Sequence, residues 1–207
     1  MNATASYDTD STDHEIRAAL HRIALRRQHR DPTTVVVDEL GLSHGKARID
    51  VAVLNSSIHG FEIKSSRDSL RRFATQLSVY ERCLERLTVV AAPVHLEELQ
   101  RILPAWCGIV TADKGPRGSI RFSTLRRPLP NPAPDAYSIA HLLWKSEAVT
   151  FLNSIGIGQV RAKSSRAALY HLIADSAELS QLKKFIKKSL ANRGGWRAAE
   201  PRRTDGD

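Results

Sequence analysis

Apolar residues recur along this chain in two periods, and the switches between them mark its elements. In HEIRAALHRIALRRQHR, Ile16, Ala19, Leu20, Ile23 and Leu25 fall at three- and four-residue spacing. That is the stripe of an amphipathic helix, with Asp13 as N-cap and Asp31-Pro32 as its stop. The β-branched run TTVVVDELGL predicts a strand ending at Gly41, and SHGK predicts a turn. RIDVAVL is apolar on both faces, as in a central strand covered from two sides. NSSIHG then leads into a third strand, GFEIK. Leu70, Phe73, Leu77, Tyr80 and Leu84 give the next core-facing stripe, a helix over about residues 68–85 with Ser65, Ser66 and Asp68 as cap candidates. LTVVAAP reads as a buried strand, LEELQRIL as a short helix, and CGIVTA with SIRFSTL as a hairpin around KGPRG.

The resulting order is α-β-β-β-α-β with a peripheral addition, an α/β core over residues 13–125. Residues 1–12 and 194–207 read as disordered. RRPLPNPAPDA, residues 126–136, holds four of the nine prolines and predicts a stiff, extended linker. Beyond it, helical patterns over 137–153, 165–175 and 177–191 make a small C-terminal helical domain, residues 137–193.

Composition permits one good-sized core: 207 residues, 42% of them hydrophobic. A net charge of +9 favours an anionic partner, nucleic acid first. The segment 136–207 has 12 Lys and Arg against 6 Asp and Glu, so most of that excess lies in the last third of the chain. Only Cys83 and Cys107 are present, without a C-x-x-C pair. The opening NATASYDTDSTD is polar and acidic, and the longest apolar run, Leu87 to Val94, is too short to span a bilayer. These features predict a reducing, cytoplasmic setting, no membrane, no disulfide and no structural zinc.

Candidate chemistry concentrates between Arg48 and Tyr80. Side chains alternate along a strand, so Glu62 and Lys64 share a face opposite Phe61 and Ile63. Asp50 lies on the preceding strand, amid apolar neighbours where a carboxylate needs a partner or a metal. Two carboxylates can hold a hard cation, Mg²⁺ or Mn²⁺, with the Ile63 carbonyl as a further ligand, while Lys64 orients or deprotonates a water or stabilises developing charge. The simpler alternative is a structural ion pair between Asp50 and Lys64. Gln76 and Tyr80 share a helix face; Gln76 would reach the site, and Tyr80 reads equally as core.

Asp50, Glu62-Ile63-Lys64 and Gln76-x-x-x-Tyr80 together resemble the signature of the PD-(D/E)xK phosphodiesterase superfamily, and the Q-x-x-x-Y helix its RecB-like branch. The block GLSHGKARIDVAVLNSSIHGFEIKSSRDSL is similar to small bacterial MmcB-like DNA-repair nucleases. Ile49 stands where the proline of the family name would be. The resemblance covers about residues 13–95 and implies a restriction-endonuclease-like fold with a mixed sheet. It also implies Mg²⁺-dependent cleavage of nucleic acid, DNA first, in processing, repair or defence. A catalytically inactive nucleic-acid-binding module of the same fold is the alternative. Such proteins commonly add an acid from the first helix or first strand, here Glu15 or Glu39. Glu39 is favoured for its position beside the Asp50 strand, while Glu15 also reads as a helix N-terminal carboxylate held by the macrodipole.

Further phosphate contacts are expected from Arg67, Arg71 and Arg72 at the start of the second helix. In the tail, LLWKSEAVTFLNSIGIGQVRAKSSRAALYHLI resembles a SAP-type helix-extended-helix element, and IGIGQVRAK resembles a helix-hairpin-helix glycine turn. Either would set Arg161, Lys163 and Arg166 toward phosphates. A bundle that buttresses the core is the alternative, and FIKKSL then reads as a solvated face. Nucleotide-binding glycine fingerprints, a nucleophile elbow and paired histidine metal spacing are all missing from the sequence. His44 and His59 fall in turns and read as surface histidines.

Overall fold

The computed structural model describes residues 10–157 and 164–193. The expected disorder over residues 1–12 does not hold at its end, where Ser11 is buried with its N–H donating to the Ser66 hydroxyl at 2.9 Å and Thr12 caps the first helix. Residues 1–9 and 194–207, and the positions of Arg161 and Lys163, lie outside the described residues.

The first helix is α1 (Asp13–Ala19), followed by a π-helical segment over Leu20–Ala24 and a short α2 (Arg26–Arg30). Its N-cap is Thr12, one residue before the expected Asp13. Glu15 completes a capping box, its carboxylate accepting from the Thr12 N–H while its own N–H donates to the Thr12 hydroxyl. The six strands are β1 (Val35–Leu42), β2 (Ala47–Leu54), β3 (Ile58–Lys64), β4 (Arg86–Ala91), β5 (Gly108–Lys114) and β6 (Ile120–Arg126). They form one sheet in chain order. β2 pairs antiparallel with both β1 and β3, β3, β4 and β5 run parallel, and β6 closes the edge antiparallel to β5. The parallel crossovers are made by α3 (Phe73–Cys83) and α4 (Leu96–Ile102), as parallel pairing requires. The expected helix over 68–85 therefore starts five residues late. Asp68 accepts from the Ser65 N–H at 2.6 Å and the Ser65 hydroxyl at 2.7 Å. It closes a turn before the helix and caps nothing.

Two hydrophobic layers flank the sheet. On one face Ile16, Leu20 and Leu25 pack on Val36, Val51, Val53 and Ile63. On the other, Phe73, Leu77 and Tyr80 of α3 and Leu99 of α4 cover Val37, Leu40, Ile49, Ala52 and Leu54. The same layer continues into the C-terminal helices α5 (Ala136–Ala140), α6 (Lys145–Ser154), α7 (Arg166–Ser176) and α8 (Leu179–Asn192) through Ile139, Phe151, Ile173, Leu182 and Ile186. The expected single helix over 137–153 is broken after His141, and the Trp144 N–H restarts it by donating to Glu147 at 2.7 Å.

The proline-rich stretch is fastened to this core. Asn131 is buried, and its amide donates to the Glu81 and Leu84 carbonyls at 2.6 and 2.7 Å. The Leu129, Asn131 and Asp135 backbone amides bond to Trp106, Glu85 and Arg82. An extended proline segment has unpaired backbone groups, and here the last turn of α3 and the loops of the core pair them. No helix among the described residues is long and apolar enough to cross a membrane.

Candidate active site

The site is built on an interruption of the sheet. The β1–β2 register runs through Asp38/Val51 and resumes at Leu40/Ile49, skipping Glu39 and Asp50. Glu39 has a left-handed backbone, φ 55°. Both strands exchange faces there: Val37 and Leu40 enter the same core although three residues apart, as do Ile49 and Ala52. Strand irregularities of this kind re-aim side chains. Beside them, the β2–β3 pairing stops at Val51/Phe61. Continued, the ladder would set Ile63 against Ile49. Instead the Ile63 N–H donates to Asp50 Oδ2 at 2.7 Å. A strand residue projects N–H and C=O toward the same edge, so the Ile63 carbonyl also lies on the side where the strands part.

Around this opening the structure gathers four of the sequence-predicted residues. Glu62 and Lys64 share the α3 face, with Lys64 Nζ 2.7 Å from Glu62 Oε1. Both are buried, and Lys64 also lies 5.5 Å above the Phe73 ring. The Tyr80 hydroxyl sits 2.7 Å from Glu62 Oε2 and 3.0 Å from the Arg48 carbonyl oxygen. A phenol has one proton to donate, so a protonated Glu62 would satisfy all three groups at once. Asp50 completes the group from the parted edge.

Glu39 reaches the rim through two arginines, Arg17 Nη1 on one carboxylate oxygen and Arg48 Nε on the other. Arg17 also contacts Asp50 Oδ1 at 3.2 Å and Asp13 Oδ1 at 2.9 Å, so one guanidinium from α1 ties three acids together. Neither Arg17 nor Asp13 was expected in the site. The visible signal is their i,i+4 spacing on an amphipathic helix. Glu15, the other candidate for a third acid, is engaged in its capping box and with Lys114 Nζ at 2.9 Å. Those partners hold its carboxyl down to about 2.

The remaining predicted residues lie apart. Gln76 is half-buried one turn before Tyr80, and its side chain makes no hydrogen bond to the described residues. Arg67 reaches Asp10 at 3.8 Å, while Arg71 and Arg72 are exposed in the turn before α3. Arg166 is exposed at the first residue of α7. His59 belongs to β3 and is half-buried, so it is neither in a turn nor on the surface as expected.

Electrostatics distinguish the centre from an ordinary ion pair. Burial, and then the neighbouring Glu62 carboxylate, push Asp50 up to about 8 against the opposing Ile63 amide and Arg17. Burial likewise holds Glu62 above the usual carboxylate range despite Lys64 and Tyr80. Both shifts run in the direction expected of carboxylates withdrawn from water, and at Asp50 the charge of Glu62 adds to it. Among the described residues no cluster of three His, Cys, Asp or Glu side chains is placed to hold a metal. A cation here would rest on Asp50, Glu62, the Ile63 carbonyl and water. That donor set fits Mg²⁺, which takes one or two carboxylates and keeps several waters.

The family described as Bacteriophage P4 protein cII matches residues 6–198. Protein cII of Enterobacteria phage P4 is 25% identical over 181 residues, covering 87% of this chain and 67% of that protein. A solved structure of a protein of unknown function from Silicibacter pomeroyi aligns with 67% of this chain and 90% of its own, at 21% identity and a TM-score of 0.38.

Proposed function

The chain belongs to the Bacteriophage P4 protein cII family, and from its site we propose a metal-dependent nuclease that hydrolyses phosphodiester bonds, those of DNA first. The observation that carries this reading is the pair of neighbouring acids, half-buried Asp50 and buried Glu62, at the parting of β2 and β3, with Lys64 on the Glu62 face. The mixed sheet, with α1 on one face and α3 on the other, supports the finer assignment to a restriction-endonuclease-like fold. Mg²⁺ or Mn²⁺, when bound, would neutralise the scissile phosphate and lower the pKa of a water. Asp50 and Glu62 would hold it, Tyr80 fixes the orientation of Glu62, and Lys64 donates toward the attacking water or the developing charge. Arg17 balances Asp50 and Glu39 when no cation is present. The charge excess of the chain supports a polyanionic substrate.

The second reading is a binding module without turnover. It is favoured by Arg17, whose guanidinium already supplies Asp50 with a positive charge. One experiment separates the two. Single- and double-stranded DNA and RNA are incubated with the protein in Mg²⁺, Mn²⁺ or EDTA, beside Asp50→Ala and Lys64→Ala. The nuclease reading expects metal-dependent cleavage, reduced at least a hundredfold by either substitution. Binding that falls with salt but yields no product would leave the module. Cleavage that survives both substitutions would place the chemistry elsewhere.

A further inference from the structure

A second site lies at the far end of the β1–β2 hairpin. The turn between these strands holds Ser43, His44 and Gly45 in succession at φ 46°, 57° and 85°. Two consecutive side-chain-bearing residues in left-handed conformation are costly, and such strain persists only where surrounding contacts fix it. Here it delivers the exposed His44 ring onto His141, with centroids 4.4 Å apart and planes inclined by 29°. Tyr170 and Tyr137 back the pair, their centroids 4.7 and 4.6 Å from that of His141. Between the turn, the α5–α6 corner and α7 is a cleft of about 230 Å³, lined by His44, His141, Trp144, Tyr170, Arg166 and Arg193 among others.

Three observations define what would fit. The space falls below the roughly 300–1,000 Å³ of drug-sized ligand sites, so it suits one planar ring system. Its polar demands are unmet: among the described residues neither ring nitrogen of His141 has a hydrogen-bond partner, although both are buried. Burial and His44 hold that imidazole down to about 4, so at neutral pH it offers one donor and one acceptor. Among the described residues no carboxylate lines the cleft, whereas Arg166 and Arg193 do. Arg193 is paired with Glu147 and lies 4.3 Å over the Trp144 ring, which leaves Arg166 as the exposed cation. Lys46 adds a further positive charge to the field at both imidazoles. Rings for stacking, a donor–acceptor pair and a cationic edge are the chemistry of a nucleobase carrying a phosphate.

We propose that this cleft binds a nucleotide, its base against His44 and Trp144 and its phosphate toward Arg166 and Lys46. The position suits a strand engaged at the acidic centre. Gly41 at the cleft pairs with Arg48, whose carbonyl lies beside the Tyr80 hydroxyl. Base binding rests on its own residues and needs no hydrolysis.

The test is calorimetric titration in EDTA with two probes, the nucleoside 5′-monophosphates and a single-stranded hexanucleotide. Parent protein is compared with His44→Gly and Arg166→Gln. Glycine suits φ 57° and removes only the ring, so folding is retained. The expected result is saturable binding weakened at least fivefold by His44→Gly, with a smaller salt dependence in Arg166→Gln. Equal affinity for both probes identifies a free nucleotide as the ligand, and much tighter hexanucleotide binding identifies a strand. Neither probe binding, or binding unchanged in both variants, overturns the proposal. Should a variant melt below the parent, photo-crosslinking of a 5-bromouridine hexanucleotide to the unmodified chain decides, and adducts away from the His44 and Trp144 peptides overturn it. Asp50→Ala separates the two sites: lost cleavage with retained binding in that variant leaves this cleft standing, whereas a parent protein that cleaves but binds neither probe removes the cleft alone.

Discussion

His59 illustrates how one half-buried side chain makes stability depend on pH. Its Nε2 lies 2.8 Å from Thr88 Oγ1 and its ring stacks on Phe61 at 4.2 Å. Burial, then Arg86, hold its pKa down to about 4 from the usual 6.5. The unfolded chain therefore takes up a proton near pH 6.5 that the folded chain refuses until about pH 4. Stability from His59 is complete above pH 6.5 and is lost as pH falls through that value, at most of the order of 2 kcal/mol between pH 7 and pH 5. His59→Gln keeps a donor for Thr88 and removes the titration. Its melting temperature is expected to fall less steeply than the parent's over that interval, and parallel curves would assign the acid sensitivity elsewhere. The same scale shows what the sequence could reveal. Glu62 and Lys64 were legible because a period of two leaves no freedom about their shared face. Arg17 was not, because its place in the site depends on how α1 lies across the sheet, and no local spacing encodes that.

At the scale of elements, the approach of α3 to β3 depends on one missing side chain. A Cβ built on Gly60 would stand 2.6 Å from Leu84 Cδ1 and 2.9 Å from Ile49 Cγ1. Gly60→Ala is expected to cost about 1–3 kcal/mol, as overpacking in a close-packed core does, read as a lower urea midpoint at unchanged slope. An unchanged midpoint would mean that Leu84 rotates away freely. The succession of strands and helices along the chain and the β5–β6 hairpin followed from the hydrophobic pattern, whereas two features of the elements did not. Asp68 looked like a cap but closes its own turn, because a carboxylate near free amides takes whichever the backbone presents first. The paired irregularity at Glu39 and Asp50 was also hidden. Positive φ at a glutamate has no compositional mark, unlike a glycine in the same place.

Across the whole molecule, the C-terminal helices and the sheet bury one continuous apolar layer. The sequence divided the chain at its prolines because proline-rich segments usually join units that fold apart. In the structure Asn131 and its neighbours bind that segment down, and Phe151, Ile173 and Ile186 enter the layer built on Val37 and Leu54. A chain ending at residue 125 would leave this face open. It is expected to lose cooperative thermal unfolding and to bind a hydrophobic dye, as states with exposed apolar surface do. A truncated chain that melts sharply and retains near-ultraviolet dichroism would show that the sheet stands without its helices.

The Ile63 amide, bonded to a carboxylate where its neighbours bond to strands, has a spectroscopic consequence. Amide proton shifts follow the strength and charge of the acceptor, so this resonance is a reporter placed at the centre of the cluster. In nitrogen-15-labelled protein, titrating a divalent cation should move the Ile63 cross-peak as Asp50 shares its charge, while Phe61, two residues back in the regular ladder, stays still. The break in the sheet thus supplies its own probe, at an atom that no substitution needs to disturb.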